Sequence, residues 1–260
     1  MKMKDKVIMV AAGSKGLGYG VAEACAKESA SVAIASRSQE NVDAAVAKLD
    51  ALGVATLGST LDARSKDSIN AWANDVVTRF GRIDGLLVNA GGPPAGKFDD
   101  FSEEDWYNAF ELTLMSAVRM IHAVLPTMRK QKSGAILTIT SLSVKEPIDT
   151  ILLSNVMRSG VVSLVKSLSK DIAKEGIRIN NLVPGTIYTD RIDNLNAHRA
   201  KVSGDSVEEV RANAEAAIPM GRYGKPDEFG AAGAFLLSEE ASYISGATLV
   251  VDGALSKTVW

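Results

Sequence analysis

The chain has 260 residues, 29 basic and 31 acidic side chains, a formal charge of −2 and 46% hydrophobic residues. That length and apolar content suit one α/β unit with a sizeable core, and the near-balance of charge, with no long run of either sign, argues against a nucleic-acid partner. The apolar runs are strand-length, which predicts no membrane span, residues 7–12 are too short for a signal-peptide core, and the lone Cys25 excludes an internal disulfide and fits a reducing, cytoplasmic setting.

In chain order, runs rich in Val, Ile and Leu at 7–12, 31–35, 56–61, 85–89, 135–140, 178–182 and 248–251 predict strands buried on both faces. Helical patterns fill the gaps at 18–27, 41–52, 65–79, 103–129, 154–173 and 226–237. Strand and helix in alternation predict a single-domain, Rossmann-like, doubly wound parallel sheet of about seven strands with helices on both faces, covering 1–260. Only 190–219 breaks the rhythm. It is polar, Ala-rich and longer than a plain connection, with a helix expected at 206–217, and it reads as a substrate lid or as a surface excursion.

After the first strand, Ala11-Ala12-Gly13-Ser14-Lys15-Gly16-Leu17-Gly18 leads into a helix. A glycine-rich strand-to-helix turn lets backbone N–H groups approach a pyrophosphate at the positive helix end. Gly13, Ser14, Lys15, Gly16, Leu17 and Gly18 are the candidate cradle, Gly13 being expected to supply the flexibility that Ala12 lacks. The second strand ends in Ser36-Arg37-Ser38, with no carboxylate at its tip. An acidic residue there would bind the ribose 2′-OH of NAD, whereas arginine accommodates a 2′-phosphate. Arg37 and Lys15 together point to NADP(H), against the plainer reading of two solvated cations. Gly91-Gly92-Pro93-Pro94 either stiffens the wall of that site or forms an ordinary rigid turn.

Further segments follow in order: Leu61-Asp62-Ala63, Asn89-Ala90-Gly91, Pro184-Gly185-Thr186-Ile187-Tyr188-Thr189, Pro219-Met-Gly-Arg222, Gly224-Lys-Pro226, Tyr243-Ile-Ser-Gly246 and Val251-Asp-Gly253. With the glycine turn, where Ala11 and Ala12 replace a leading Thr-Gly, they resemble the short-chain dehydrogenase/reductase family over almost the whole chain. The resemblance implies that Asp62 contacts the adenine and that Asn89, Ala90 and Gly91 border the cofactor. It also implies that Pro184, Gly185, Ile187 and Thr189 contact the nicotinamide and its phosphate.

The family usually carries an Asn-Ser-Tyr-Lys set. Ser141 matches the serine, with Ser143 a nearby alternative, but Thr113 stands at the asparagine position, Ser154 at the tyrosine and Arg158 at the lysine. A serine hydroxyl is a far weaker acid than a phenol of pKa near 10, and an arginine stays cationic and passes no proton. Four apart on a helix, Ser154 and Arg158 share a face and are suited to bind a ribose hydroxyl, a carboxylate or an enolate. Tyr188 is the preferred substitute acid, ahead of Lys145 and Asp149, with a packing or surface tyrosine the competing reading.

Three accounts follow: a reductase with a non-standard proton route, a non-redox isomerase or dehydratase acting on an anion at Ser141–Arg158, and a cofactor-binding protein without turnover. The first leads. A subgroup resembling 3-oxoacyl-acyl-carrier-protein reductases departs from both motifs in this manner, down to the Ala-Gly-Ser turn and the Ser-Asn-x-Met-Arg run, and the chain is identified as a member on that resemblance. It implies carbonyl/alcohol chemistry on a small, acyl-type substrate and a homotetramer built through the helices at 103–129 and 154–173. Two scattered histidines and one cysteine make no metal set; His122 is expected to pack or lie at an interface, His198 to be solvated and Cys25 to be core.

Overall fold

The computed structural model describes residues 3–259. Its strands are β1 (Val7–Ala11), β2 (Ser31–Ser36), β3 (Thr56–Thr60), β4 (Gly85–Val88), β5 (Gly134–Ile139), β6 (Ile177–Pro184) and β7 (Thr248–Val251). They form one seven-stranded sheet in the order β3-β2-β1-β4-β5-β6-β7, and every pairing is parallel. The helices are α1 (Gly16–Lys27), α2 (Gln39–Asp50), α3 (Lys66–Phe80), α4 (Glu103–Ala109), α5 (Ser116–Gln131), α6 (Leu152–Ile172), α7 (Asp190–Ser203), α8 (Val207–Ala216) and α9 (Pro226–Leu237).

Alternation along β1 divides the core between the two faces of the sheet. Val7, Met9 and Ala11 join Ile69, Trp72, Met120 and Val161 on the side of α3, α5 and α6. Ile8 and Val10 join Val21, Cys25, Val42 and Phe229 on the side of α1, α2 and α9. Every residue of β1, β4 and β5 is buried, as a strand covered on both faces must be. Because β1 pairs with both β2 and β4, the chain changes winding direction there. The carboxyl ends of the strands leave a crevice at that point.

Three expectations need correction. The helix expected over 103–129 is interrupted by a π-helical turn, Phe110–Met115, between α4 and α5. The Ser116 hydroxyl donates to the Leu112 and Thr113 carbonyls at this wide turn. Second, not every apolar run is strand-length: Glu103–Gln131 is long and apolar enough to cross a membrane by length and composition. Ala117, Met120, Ile121, Val124, Leu125 and Met128 nevertheless place its apolar face in the core. Third, the 190–219 segment carries α7 as well as α8; the buried line of α7 is Asn196 and Ala200, too polar and too small to read as an apolar helix face.

Candidate active site

The glycine turn joins β1 to α1 on the crevice. Ala12 takes φ +48°, the left-handed region, and Gly16 takes φ +57°. The left-handed backbone expected of Gly13 is therefore carried by Ala12 itself. Gly13 is needed for room: its N–H donates to the Ala35 carbonyl at 3.2 Å, and a Cβ there would lie 2.8 Å from the Val10 carbonyl oxygen. A Cβ on Gly18 would fall 2.3 Å from the Ala12 oxygen and 3.2 Å from Asn89 Nδ2. Lys15, the N-cap of α1, offers no side-chain cap, so the first-turn N–H groups remain available to an anion. Ser14 Oγ donates to Ser36 Oγ at 2.9 Å and ties the turn to the tip of β2.

A cleft of about 660 Å³ runs from this turn across the strand ends. Ser14, Lys15, Gly16, Leu17, Ser36, Arg37, Asp62, Asn89, Ala90, Gly91 and Thr189 all line it, so the structure gathers most of the expected cofactor residues. Lys15 and Arg37 are exposed at its rim. Asp62 accepts from the Arg64 N–H at 3.0 Å and from Arg64 Nε at 3.3 Å, and these bonds, the backbone one foremost, hold its carboxyl below the ordinary range. Gly91, Gly92, Pro93 and Pro94 form part of the cleft wall.

Pro184, Gly185 and Ile187 do not line it. Gly185 donates to the Val251 carbonyl at 2.9 Å, and a Cβ there would sit 2.5 Å from Asp252 Cα. Ile187 is buried in the core and bridges to Gly224. These residues seat the segment on β7 and leave Thr189, whose Cγ2 would lie 3.4 Å from a Cβ on Gly16, to border the cleft.

At the other end, Ser141 follows β5 and its hydroxyl accepts from the Ser143 N–H at 3.2 Å; the Ser143 hydroxyl is itself buried without a partner. Ser154 is buried in the first turn of α6. Arg158 lies one turn on; its Nε donates to Ser154 Oγ at 3.1 Å and its Nη1 donates to the Ile139 carbonyl at 3.0 Å and the Thr140 carbonyl at 3.4 Å. The expected shared face is therefore present, with the guanidinium laid against the end of β5. A water-sized cavity of about 10 Å³ beside Arg158 is lined by Asn89, Gly91, Thr113 and Thr138, and the Thr113 hydroxyl is buried without a partner.

Tyr188 is engaged elsewhere. It is exposed, the Arg211 guanidinium lies 5.2 Å over its ring, and a hydrogen bond to Asp193 pushes its phenol above the ordinary value. That shift moves it away from the range of an acid working at neutral pH, which counts against the expected donor role. His122 is exposed on α5 and does not pack into the core; His198 is exposed as expected. Burial pushes the Cys25 thiol up to about 12, in keeping with an inert core position.

Sequence reasoning missed Asn41, Arg64, Asn108, Ala109 and Leu112, which also line the cleft. The last three lie at the end of α4 and in the π turn that follows it. Arg64 had a legible signal, a cation two residues past Asp62 at a strand end.

Comparison with known proteins agrees with this architecture. A family model described as enoyl-(acyl carrier protein) reductase matches residues 11–256. The chain is 33% identical to dehydrogenase/reductase SDR family member 4 of Oryctolagus cuniculus, over 96% of this chain and 94% of that one. It is 30% identical to the 3-oxoacyl-[acyl-carrier-protein] reductase FabG of Thermotoga maritima, over 98% and 99%. The crystal structure of L-sorbose reductase from Gluconobacter frateurii, complexed with NADPH and L-sorbose, superposes with a TM-score of 0.95 at 28% identity, covering 100% of this chain and 99% of that one. YwfH, an NADPH-dependent reductase involved in bacilysin biosynthesis, superposes with a TM-score of 0.93 at 26% identity, covering 98% and 99%.

Proposed function

The chain belongs to the short-chain dehydrogenase/reductase family of oxidoreductases, and we propose that it is an NADP(H)-dependent, 3-oxoacyl reductase-like enzyme acting on a carbonyl/alcohol group of a small, acyl-type substrate by a non-standard proton route. The observation that carries this reading is the single cleft that joins the uncapped N-terminus of α1 to the exposed cations Lys15 and Arg37. Its residues fit the cofactor: Gly13 and Gly18 leave no room for a side chain under the turn, and the two cations suit a 2′-phosphate. The NADPH dependence of YwfH, the NADPH bound to L-sorbose reductase, and the 3-oxoacyl substrate in the name of the Thermotoga maritima relative support the same assignment.

When bound, the nicotinamide supplies the hydride. The chain's own residues bind, orient and balance charge. Ser141, at the end of β5, orients the substrate oxygen. Arg158 anchors that strand end through the Ile139 and Thr140 carbonyls, and its fixed positive charge favours an oxyanion nearby. Ser154, held by Arg158, offers a hydroxyl but no useful acid. The proton therefore comes from water, with Tyr188 serving as a contact of the 190–219 lid. Exposed Tyr107, Phe110 and Val156 on the α4–α6 side support a homotetramer through those helices, and the buried free Cys25 suits the cytoplasm.

A second reading, cofactor binding without turnover, draws on Ser154 and Arg158 satisfying one another and the backbone. The deciding experiment is calorimetric titration with NADPH and NADH, followed by NADPH oxidation with a 3-oxoacyl thioester. Preferential NADPH binding with thioester-dependent oxidation is expected. Binding without oxidation of any carbonyl substrate favours the second reading, and equal binding of the two cofactors overturns NADP(H).

A further inference from the structure

Arg64 lines the cleft and makes a forked contact with Asp62. Nε lies 3.3 Å from Oδ1 and Nη2 lies 3.5 Å from Oδ2, while the Arg64 N–H donates to Oδ1 at 3.0 Å. The residue's backbone is fixed from the other side, because Arg119 Nη1 donates to the Arg64 carbonyl at 2.7 Å. Arg119 is in turn held by Glu111. Lys15, Ser36, Arg37 and Asp62 line the same cleft. The pair is solvent-facing, with 57% of the Arg64 side chain and 48% of the Asp62 side chain exposed, so both groups are open to a ligand.

Charge decides what this cleft accepts. Among the side chains that line the cleft, Lys15, Arg37 and Arg64 contribute three positive charges and Asp62 and Asp190 two negative, a net of +1. A phosphomonoester carries about −1.5 to −2 at neutral pH, so a net positive lining attracts it. Without Arg64 the net would fall to zero, and the Asp62 carboxylate would lack its partner in the same cleft. An uncompensated carboxylate disfavours a nearby phosphate.

We propose that Arg64 is a specificity-determining residue: by occupying the Asp62 carboxylate it removes a repulsion that would otherwise disfavour a 2′-phosphomonoester bound by Lys15 and Arg37 in the same cleft. The inference rests on the NADP(H) reading above. Under it Arg37 supplies attraction, and Arg64 removes a repulsion that Arg37 alone would not overcome. Asp62 is then retained for the adenine without cost to the phosphate.

The test is calorimetric titration of the full chain with NADPH, NADH and 2′,5′-ADP. The variants are Arg64→Ala, Arg64→Lys, Asp62→Asn and the double variant Asp62→Asn/Arg64→Ala. Arg64→Ala is expected to weaken NADPH and 2′,5′-ADP about tenfold, in line with a charge-assisted contact, and NADH about twofold or less. Arg64→Lys should keep part of the preference. The double variant should recover NADPH affinity to within about threefold of the parent, since the uncompensated carboxylate is gone. The parent's preference should shrink as ionic strength rises.

Equal weakening of NADPH and NADH by Arg64→Ala would show that Arg64 only shapes the turn, and failure of the double variant to recover would show that neutralising Asp62 is not its role; either result overturns the inference. A parent chain with no preference for NADPH overturns the cofactor reading itself. A parent that prefers NADPH, with Arg64→Ala unchanged, overturns the Arg64 inference alone.

Discussion

Arg158 Nε donates to Ser154 Oγ at 3.1 Å, and the same guanidinium reaches back to the carbonyls that end β5. The two positions at which the family resemblance leads one to expect a proton-transfer pair are thus joined to each other and to the sheet. Arg158→Met keeps the length of the side chain and deletes its donors. It is expected to destabilise the fold by about 2 kcal/mol, the scale of hydrogen bonds from a charged donor. Arg158→Lys should lose roughly half of that, since the ammonium lacks the fork. Denaturant unfolding measures both. A loss below about 0.5 kcal/mol for Arg158→Met would sink the anchoring role, because it would mean that the β5 carbonyls find other partners.

Tyr188→Phe separates contact with α7 and α8 from proton donation. With the phenol bonded to Asp193 and covered by Arg211, turnover is expected to stay within about threefold of the parent. Loss of a true general acid would cost roughly 10²–10⁴ in rate. A drop of that size with cofactor affinity intact would reinstate Tyr188 as the donor.

Ala12 occupies a left-handed backbone position at φ +48°. That conformation costs a non-glycine residue about 1–2 kcal/mol, partly offset here by the lower unfolded-state entropy of alanine, about 0.4–1 kcal/mol. Ala12→Gly should therefore raise stability by up to about 1.6 kcal/mol, and Ala12→Val should lower it. Thermal and urea unfolding give the sign. Destabilisation by glycine would show that the Ala12 methyl makes packing contacts that outweigh the strain.

Glu228 titrates with stability. A hydrogen bond from Arg222, followed by one from the Lys225 N–H, holds its carboxyl down at about 2 against an ordinary 4.5. The folded-state value lies below the unfolded one, so the contribution is complete above about 4.5 and is lost as pH falls towards 2. Glu228→Gln should therefore be less stable than the parent at pH 6 and equal to it near pH 2. The gap should be below about 1 kcal/mol, because the pair is solvent-screened. A gap that does not change with pH would separate Glu228 from this ion pair.

Burial decided what could be read from the sequence. The spans 226–237 and 248–251 matched the observed elements, and β1, β4 and β5 were legible because strands covered on both faces must be continuously apolar. The break at Phe110–Met115 was not legible, since Phe-Glu-Leu-Thr-Leu-Met reads as ordinary amphipathic helix. Ala12 concealed its φ because alanine rarely adopts it. The spacing of Ser154 and Arg158 foretold their shared face, but nothing in it says that the guanidinium would meet backbone carbonyls, which have no side-chain signature. Asp193 and Arg211 reach Tyr188 from α7 and α8, helices whose placement depends on tertiary packing. For the cleft, local order was enough: the residues of its glycine turn and strand tips are set by where each strand stops.

The wide turn at Phe110–Met115 lets one wall be retuned while the other stays still. Removing a single residue there would restore regular helix and swing α4 by about 100° relative to α5. Asn108 and Ala109 would leave the cleft wall, while Met120, Val124 and Met128 kept their register in the core. On this scaffold the shape of the substrate side is therefore governed by helix length, a discrete variable, as well as by which side chains line it.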